Sequence, residues 1–298
     1  MSKTPTIEPP SSTWQRRCSS STATSSAVFP TRWTQPMSIK GKKIVLTGGA
    51  GGIGLLVAQE LLFADADVLV VDRAAPPPSI KRYARDDLST MEGIVAIAAV
   101  IAAEAPDILI NLAGTQYFGP MELQPSDKIQ MTYMVNLLAP VLLTQAVLPS
   151  MKRRGSGHIV NVGSIFGSIN YPHFATYSSA KAGLRGFSEA LRREVHGAID
   201  VTYIAPRAVK TGFNGADVMR FAEITKMNMD APETVAHQIV QAIIDRKKDV
   251  FIGFPERFFV RVNALLPRLV DAAMTRETTK AKSLFNGNQV KQGAQSSA

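Results

Sequence analysis

Residues 44–54 have the sequence Ile-Val-Leu-Thr-Gly-Gly-Ala-Gly-Gly-Ile-Gly, an apolar run that leads into five glycines. The run predicts a buried β-strand and the residues after it predict a helix, so the glycines form a turn at a helix N-terminus. Such a turn lets a phosphate approach the backbone, where unpaired N–H groups and the helix dipole favour its negative charge. We therefore expect a dinucleotide to contact Gly48, Gly52, Ile53 and Gly54, although similar turns also close strand–helix units that bind no ligand.

An acidic residue follows the next apolar run. Val68–Val71 ends at Asp72, about 20 residues beyond the glycine turn, where the adenosine ribose lies in such folds. A carboxylate there accepts hydrogen bonds from both ribose hydroxyls and repels the 2′-phosphate of NADP. The position favours NAD, although Arg73 follows directly and can weaken the discrimination. The alternative is that Asp72 is an ordinary aspartate at the end of a strand.

From Ile39 onward, short β-branched runs alternate with longer helical patterns, which is typical of a parallel sheet covered by helices on both faces. The predicted strands are Ile44–Thr47, Val68–Val71, Ile108–Asn111, His158–Val162, Val201–Ile204 and Val250–Ile252, with a weaker one near Lys81–Arg85. The predicted helices are Gly52–Ala64, Ser89–Glu104, Ser126–Met151, Ala175–Val195 and Pro232–Asp245. The pattern predicts a single α/β domain over residues 37–275, a Rossmann-type doubly wound parallel sheet of about seven strands.

The positive charge of the 298-residue chain lies mostly at its ends. Of the net charge of +9, residues 1–36 carry +3 and residues 276–298 carry another +3. The body is close to balance, and the tails do not interleave aromatic with basic residues, so we do not expect nucleic-acid binding. Both tails are polar and small in composition, which predicts disorder. The N-terminal one also loosely resembles a transit peptide.

The chain has one cysteine, Cys18, so no intrachain disulfide or cysteine-based metal cluster can form, and no other metal site is expected. This is consistent with a reducing compartment, and we expect a cytoplasmic protein. The longest uninterrupted apolar run, Ile94–Ala103, falls short of the about 20 residues that span a bilayer, so no transmembrane helix is predicted.

Two later segments bear on the substrate. Residues 212–230 resemble a lid rich in Phe and Met, which favours a hydrophobic substrate such as an acyl chain, a sterol-like ring or an apolar secondary alcohol. Residues 255–274, with Phe254 just before them, predict an amphipathic helix in which aromatic and aliphatic residues alternate with arginines. Such a helix either packs over the opening of the substrate site or rests on a membrane surface.

Tyr177 and Lys181 are four residues apart on one face of the predicted helix Ala175–Val195. An isolated tyrosine, with a pKa of about 10, is a poor base at neutral pH. A neighbouring ammonium stabilises the phenolate and lowers that pKa, so the pair can exchange protons with a substrate. A Tyr-x-x-x-Lys pair is also common by chance on helix surfaces, and the surrounding sequence decides between the two interpretations.

Five features occur in the order found in the short-chain dehydrogenase/reductase family. They are Thr47-Gly48-x-x-x-Gly52-x-Gly54, Asn111-x-Ala113-Gly114, Asn136, Ser164 and Tyr177-x-x-x-Lys181. The chain resembles this family over roughly residues 39–255. The resemblance implies a nicotinamide-dependent oxidoreductase that passes a hydride between the cofactor and an alcohol or carbonyl carbon.

The same resemblance implies a role for each catalytic position. Tyr177 would be the general acid/base, and Lys181 would lower its pKa and bond the nicotinamide ribose. Ser164 would orient the substrate oxygen, and Asn136 would hold a water that links Lys181 to solvent. Each also has an ordinary structural explanation, such as a turn serine or a helix asparagine, but their joint occurrence by chance is improbable.

The remaining implied contacts are with the cofactor. Asn111, Ala113 and Gly114 would line the adenine side, as would the pair Asp87-Leu88. The loop after Val201–Ile204 departs from the family, because Pro206 is followed by Arg207 instead of glycine. Arg207 either narrows the nicotinamide end, contacts an anionic substrate group, or points to solvent. Pro206, Val209 and Thr211 are the predicted cofactor contacts of this loop.

Two alternative functions and the role of one histidine remain open at this level. One is an NADPH-dependent reductase of carbonyl or 3-oxoacyl groups, and another is a dinucleotide-binding sensor or scaffold without turnover. His173, in the loop before Tyr177, either touches the substrate or is a surface histidine. By family analogy, a homodimer or homotetramer is expected through the helices Ser126–Met151 and Ala175–Val195.

Overall fold

The computed structural model describes residues 38–275 together with Thr279, Leu284 and Phe285. The predicted N-terminal extension, 1–36, lies outside the described residues, as does most of the predicted tail, 276–298. The expectation that these segments are disordered therefore stays a prediction.

Residues 38–275 contain seven strands in one fully parallel sheet. They are β1 (Lys43–Thr47), β2 (Asp67–Asp72), β3 (Tyr83–Arg85), β4 (Ile108–Asn111), β5 (His158–Val162), β6 (Asp200–Pro206) and β7 (Asp249–Ile252). Their order is β3-β2-β1-β4-β5-β6-β7, and each pair is parallel. β1 lies between β2 and β4, so the order reverses there and a crevice opens at the carboxyl ends of the strands. The predicted fold class is confirmed.

Helices cover both faces of the sheet. They are α1 (Gly52–Phe63), α2 (Met91–Glu104), α3 (Ser126–Tyr133), α4 (Ala139–Arg154), α5 (Ala175–Glu194), α6 (Ala216–Thr225), α7 (Pro232–Ile244) and α8 (Glu256–Leu265). α1 and α7 pack with one face of the sheet in one apolar core, and α2, α4 and α5 pack with the other face in a second core. The central strands are buried at every position except Lys43, and each carries three apolar residues between or beside its polar ones.

The predicted helix Ser126–Met151 is interrupted. A π-helical turn, Met134–Leu138, joins α3 to α4, and the helix continues to Arg154 before Gly155 ends it in a left-handed conformation. The whole stretch Ser126–Arg154 is long and apolar enough to cross a membrane by length and composition, but half of its most apolar window is buried in the fold. It is therefore accounted for as a core helix.

The predicted single helix over residues 255–274 is wrong in one respect. α8 ends at Leu265, and a second helical segment covers residues 267–275. Leu266 has an extended φ of −136°, because the ring of Pro267 disfavours the helical conformation in the residue before it. The amphipathic character is retained, since Val260 and Val270 are buried against Ile165.

His158, at the start of β5, makes stability depend on pH. Its Nε2 lies 2.8 Å from the Thr202 hydroxyl, which donates to the Lys247 carbonyl, so Nε2–H is the donor and Nδ1 carries no proton. Burial, and then the charge of Arg246, lower the pKa of His158 to about 3. An unfolded histidine has a pKa of about 6.5, so below that pH the unfolded state binds more protons.

We therefore expect the free energy of unfolding to fall as the pH drops below about 6.5, with His158 contributing at most about 1.4 kcal/mol per pH unit. Urea denaturation at several pH values measures this slope. In His158→Gln the slope should be smaller, because one titrating group is gone. Equal slopes in the variant and the wild type would contradict the assignment.

Candidate active site

A cavity of about 500 Å³ opens at the carboxyl ends of the strands, and the glycine turn forms one wall of it. Gly48 has φ +76°, and a Cβ on it would lie 2.7 Å from the Cα of Ala113; a Cβ on Gly54 would lie 1.9 Å from the Gly48 carbonyl oxygen. Only glycine fits these two positions. Gly52 and Ile53 also line the cavity.

The turn fits the pyrophosphate of a dinucleotide. α1 begins after Gly51, and no side chain caps its N-terminus. The first N–H groups of a helix have no intrahelical acceptor, so those of α1 remain free to bind an anion at the cavity wall.

Four predicted cofactor contacts line the same cavity: Asp72, Arg73, Asp87 and Leu88. The Asp72 carboxylate accepts hydrogen bonds from the backbone N–H groups of Ala50 (3.0 Å) and Ala74 (3.1 Å), one on each oxygen. It is thus fixed against the glycine turn, and each oxygen keeps a second lone pair for a ligand. The backbone N–H of Ser89 holds the pKa of Asp87 below its usual range, which keeps that carboxylate charged.

Asn111 does not line the cavity, contrary to the sequence-based expectation. Its side chain is buried, and its amide donates to the oxygens of Asn161 (2.9 Å) and Thr144 (3.3 Å). The reason is geometric, because alternate residues of a strand point to opposite faces and Asn111 still belongs to β4. Ala113 and Gly114, in the loop beyond it, do line the cavity.

Ser164, Tyr177 and Lys181 meet at the other end of the cavity. Ser164 follows β5, and its hydroxyl accepts the N–H of Phe166 at 3.1 Å; the same hydroxyl favours the ionised form of Tyr177. Tyr177 lies in the first turn of α5, with Lys181 one turn later on the same face. The Lys181 ammonium lies 5.9 Å from the centre of the Tyr177 ring and donates to the Val162 carbonyl at 3.0 Å.

Burial dominates the protonation of this pair. It raises the pKa of Tyr177 to about 12, opposed by the Ser164 hydroxyl, and lowers the pKa of Lys181 to about 8. The shift of Tyr177 is opposite in direction to the expectation from the sequence. In the free protein both groups lose their hydration, and the ammonium is hydrogen bonded to a carbonyl instead of the phenol oxygen.

Asn136 is fully buried in the π-helical turn and lies behind the cavity wall. Its amide donates to the carbonyls of Thr115 (2.7 Å) and Thr132 (2.8 Å), and its oxygen accepts the N–H of Thr115. A Cβ on Gly114 would lie 3.1 Å from the Asn136 oxygen and 3.7 Å from the Lys181 nitrogen, so both atoms flank Gly114. The helical periodicity of the sequence did not reveal the π turn that aims this side chain.

Pro206, Val209 and Thr211 line the cavity beside Tyr177, in the loop after β6. Arg207 borders it too, but its guanidinium binds Asp230 through two hydrogen bonds (2.6 and 2.9 Å), Glu256 (2.9 Å) and the Phe254 carbonyl. The expectation of a solvent-facing side chain is wrong, and the guanidinium is paired with this chain's own carboxylates; since Arg207 lines the cavity, its stem narrows this end of it. Arg207 instead joins the end of the lid to the start of α8.

The substrate end of the cavity has an apolar wall. It is formed by Phe166, Phe174, Phe213, Val218 and Met227. The lid contains α6, which the sequence patterns did not predict, and its Phe221 is fully buried with Phe174 and Tyr177 in one apolar cluster. Leu284 and Phe285, from the segment expected to be disordered, pack against this cluster.

His173 neither lines the cavity nor lies free on the surface. Its ring centre is 4.8 Å from that of Phe285 and 6.1 Å from that of Phe118, and burial lowers its pKa. It therefore supports the apolar cluster from outside. Among the described residues, no group of three His, Cys, Asp or Glu side chains is placed to hold a metal ion.

Comparison with known proteins agrees with this arrangement. The family profile described as short chain dehydrogenase matches residues 42–220. Dehydrogenase/reductase SDR family member 7B of Danio rerio is 29% identical over 272 residues, covering 82% of this chain and 87% of that protein. Ketoacyl reductase HetN of Nostoc sp. is 30% identical over 231 residues, covering 72% of this chain and 80% of that protein.

A solved structure shares the fold. An NAD(P)-dependent gluconate 5-dehydrogenase of Beutenbergia cavernae, with bound NADP, is 27% identical with a TM-score of 0.66, over 72% of this chain and 96% of that one. The chain therefore belongs to the short chain dehydrogenase family, and it is an oxidoreductase that uses NAD or NADP to act on an alcohol or carbonyl group of a small molecule.

Proposed function

We propose that this chain is an NAD-dependent dehydrogenase of a hydrophobic secondary alcohol, or reductase of the corresponding ketone, with Tyr177 as the general acid/base. One observation carries the proposal. Tyr177, Ser164 and Lys181, the last one helical turn from Tyr177, line the apolar part of a cavity that also receives the uncapped N-terminus of α1.

The residues of the site divide the chemistry between them. A bound nicotinamide supplies or accepts the hydride. The Tyr177 hydroxyl donates its proton to the carbonyl oxygen in reduction and takes it back from the alcohol in oxidation. The Ser164 hydroxyl, which lines the same cavity as Tyr177, donates a hydrogen bond to the same substrate oxygen. Lys181 places a positive charge near the phenol and stabilises it when it ionises.

Asn136 acts as a positioning residue in this scheme. It fixes both backbone groups of Thr115 and so fixes the wall of the cavity beside Lys181. The proposed water link from Lys181 to solvent uses the Asn136 oxygen, which flanks Gly114 on the same side as the ammonium.

The apolar wall supports a hydrophobic substrate. Rings and aliphatic side chains pack around Tyr177, and burying a substrate's apolar surface there gains about 25 cal/mol per Å². The name of the Nostoc relative, a ketoacyl reductase, is consistent with an acyl chain, whereas the name of the Beutenbergia protein refers to a polar sugar acid. Assembly as a homodimer or homotetramer and a cytoplasmic location stay predictions.

The test is hydride transfer followed by absorbance of the reduced nicotinamide, with the full chain and matched pairs of substrates. Each pair has the same reacting group and differs in the length of its apolar chain. We expect kcat/KM to rise with apolar length. Turnover only on polyhydroxylated substrates would reject the hydrophobic substrate, and binding of cofactor without turnover on either series would reject the proposed dehydrogenase.

The cofactor preference depends on Asp72. In Asp72→Asn we expect the ratio of NADH to NADPH affinity to fall about tenfold or more, because the repulsion of a 2′-phosphate by one nearby carboxylate is worth about 1–4 kcal/mol. The Asn side chain keeps the shape, although one backbone N–H then faces an NH₂ group. Fluorescence titration with both reduced cofactors measures the ratio.

Asp65→Asn is the matched control, since it removes an exposed carboxylate outside the cavity that pairs with Lys40. Its ratio should equal that of the wild type. A wild-type preference for NADPH would instead favour the reductase alternative, in which Arg73, also at the cavity, binds the 2′-phosphate.

A further inference from the structure

The segment that begins at Phe254 carries a concentrated apolar surface, which we call the α8 patch. It consists of Phe254, Phe258, Phe259, Leu265, Leu266 and Leu269, whose exposed fractions range from 46% to 80%. Phe258 and Leu265 are seven residues apart on α8 and share one face. The ring centres of Phe258 and Phe259 are 5.9 Å apart, so these rings are in contact. Single exposed apolar residues are ordinary, but six within sixteen positions indicate a binding surface.

Among the described residues, no patch residue belongs to an apolar core cluster. The opposite side of the segment packs inward through Val260 and Val270, against Ile165 and Ile169. Asn263 anchors the segment further by donating to the Ser168 carbonyl at 2.8 Å. The segment is therefore held in place by one side, and the α8 patch is displayed on the other.

The patch is bordered by positive charge. Arg257, Arg261 and Arg268 are exposed and interleave with the patch residues. Two acidic residues are near these arginines in sequence. Glu256, at the start of α8, forms an ion pair with Arg207, and Asp271 lies beyond the last patch residue. An apolar face bordered by arginines complements an anionic bilayer, in which apolar side chains enter the acyl boundary and cations meet the headgroups.

The patch also lies close to the active site. α8 packs against the helical turn Ile165–Gly167, which directly follows Ser164. Arg207 binds both Glu256, in the first turn of α8, and Asp230, at the end of the lid. Any partner surface that binds the α8 patch therefore lies next to the lid of the substrate cavity.

We propose that the α8 patch docks this enzyme onto the surface of an anionic lipid bilayer. Its apolar residues insert at the acyl boundary, and its arginines pair with lipid phosphates and carboxylates. Docking needs no turnover, so its test is independent of the proposed function. If that function also holds, the cavity receives apolar substrate beside the membrane in which such substrates partition.

The experiment uses the full chain and vesicles of phosphatidylcholine alone or mixed equally with phosphatidylserine, separated by flotation. We expect binding to the mixed vesicles that weakens as salt is raised. The double variant Phe258→Gln/Leu265→Gln keeps the net charge and should lower the partition coefficient about tenfold or more, because two apolar side chains no longer insert. The matched control is Phe63→Gln, at a 93% exposed phenylalanine at the end of α1, which should bind like the wild type.

Retained vesicle binding in the double variant would show that charge alone attracts the protein, and would overturn the proposal. The proposal would also be overturned if the wild-type protein does not bind vesicles and the double variant has a lower oligomeric state than the wild type. The patch would then be a contact between copies of this chain. Phe258→Trp gives a second measurement that preserves an aromatic side chain. The tryptophan fluorescence maximum of this variant should move to shorter wavelength when mixed vesicles are added. The maximum of Phe63→Trp should not move.

Discussion

Replacing Tyr177 by phenylalanine is expected to lower turnover by about 10²–10⁴-fold, the range that general acid–base groups contribute. The substitution removes one oxygen atom and leaves the ring in place in its apolar cluster. Cofactor affinity and thermal stability should therefore change little. Steady-state rates and titration with reduced cofactor, on the same preparation, separate the two effects.

The protonation of Tyr177 gives the reason for so large an effect. With a pKa of about 12, the phenol carries its proton at neutral pH in the free protein, which is the form that a carbonyl oxygen needs. Loss of the hydroxyl leaves the Ser164 hydroxyl as a hydrogen-bond donor to the substrate oxygen, without a group that transfers the proton. Binding survives in this variant, and the chemical step does not.

Tyr203→Phe is the matched control for this experiment. Tyr203 is a second fully buried tyrosine, and its hydroxyl donates to the Ser164 backbone carbonyl at 3.4 Å. This variant tests whether the loss of any tyrosine hydroxyl close to Ser164 lowers the turnover rate. We expect its turnover rate to stay within about threefold of wild type. Equal losses in the two variants, or a Tyr177→Phe enzyme within about tenfold of wild type, would contradict the assigned role.

Much of the fold could be predicted from local patterns. A strand buried between two helix layers is rich in apolar residues, and the turn after β1 is recognisable by its glycines, so both features appear within a few consecutive residues. The site positions on that framework follow from the order of the family features. Asp72, for example, lies at the end of β2, at the cavity.

The parts that could not be predicted depend on contacts between distant residues. The guanidinium of Arg207 binds carboxylates 23 and 49 positions away, and no local pattern pairs them. Phe285 packs against Phe118 across the chain, although the segment around it is polar. For Asn111, the sequence indicated the position at the strand end but not whether the side chain faces the cavity or the interior.

Arg207→Leu is expected to lower the free energy of unfolding by about 3 kcal/mol, the scale of breaking a buried ion pair by removing one partner. The side chain of Arg207 is 17% exposed, and those of Asp230 and Glu256 are 18% and 24% exposed. Without the guanidinium, both carboxylates stay largely buried with no cation between them. Urea denaturation monitored by circular dichroism measures the loss.

Arg82→Leu provides the comparison, because Arg82 also bridges two carboxylates, Asp67 and Glu104, but is 41% exposed. Solvent screens that cluster, so we expect a loss of about 1 kcal/mol or less. Similar losses of unfolding free energy in the two variants would contradict the expectation that burial makes the Arg207 ion pairs contribute more to stability.

Neutralising the carboxylates distinguishes a loss of charge from a loss of packing. The Arg207 stem also fills space above Gly253, where a Cβ would lie 2.5 Å from its Cδ, so leucine leaves a gap as well as two unpaired charges. If unpaired charge dominates, Asp230→Asn with Glu256→Gln should restore most of the stability of Arg207→Leu, although each is destabilising in the wild type. If packing dominates, the added substitutions restore nothing. Because Asp230 ends the lid, the unrestored variant should also show a higher KM for substrate with an unchanged affinity for cofactor.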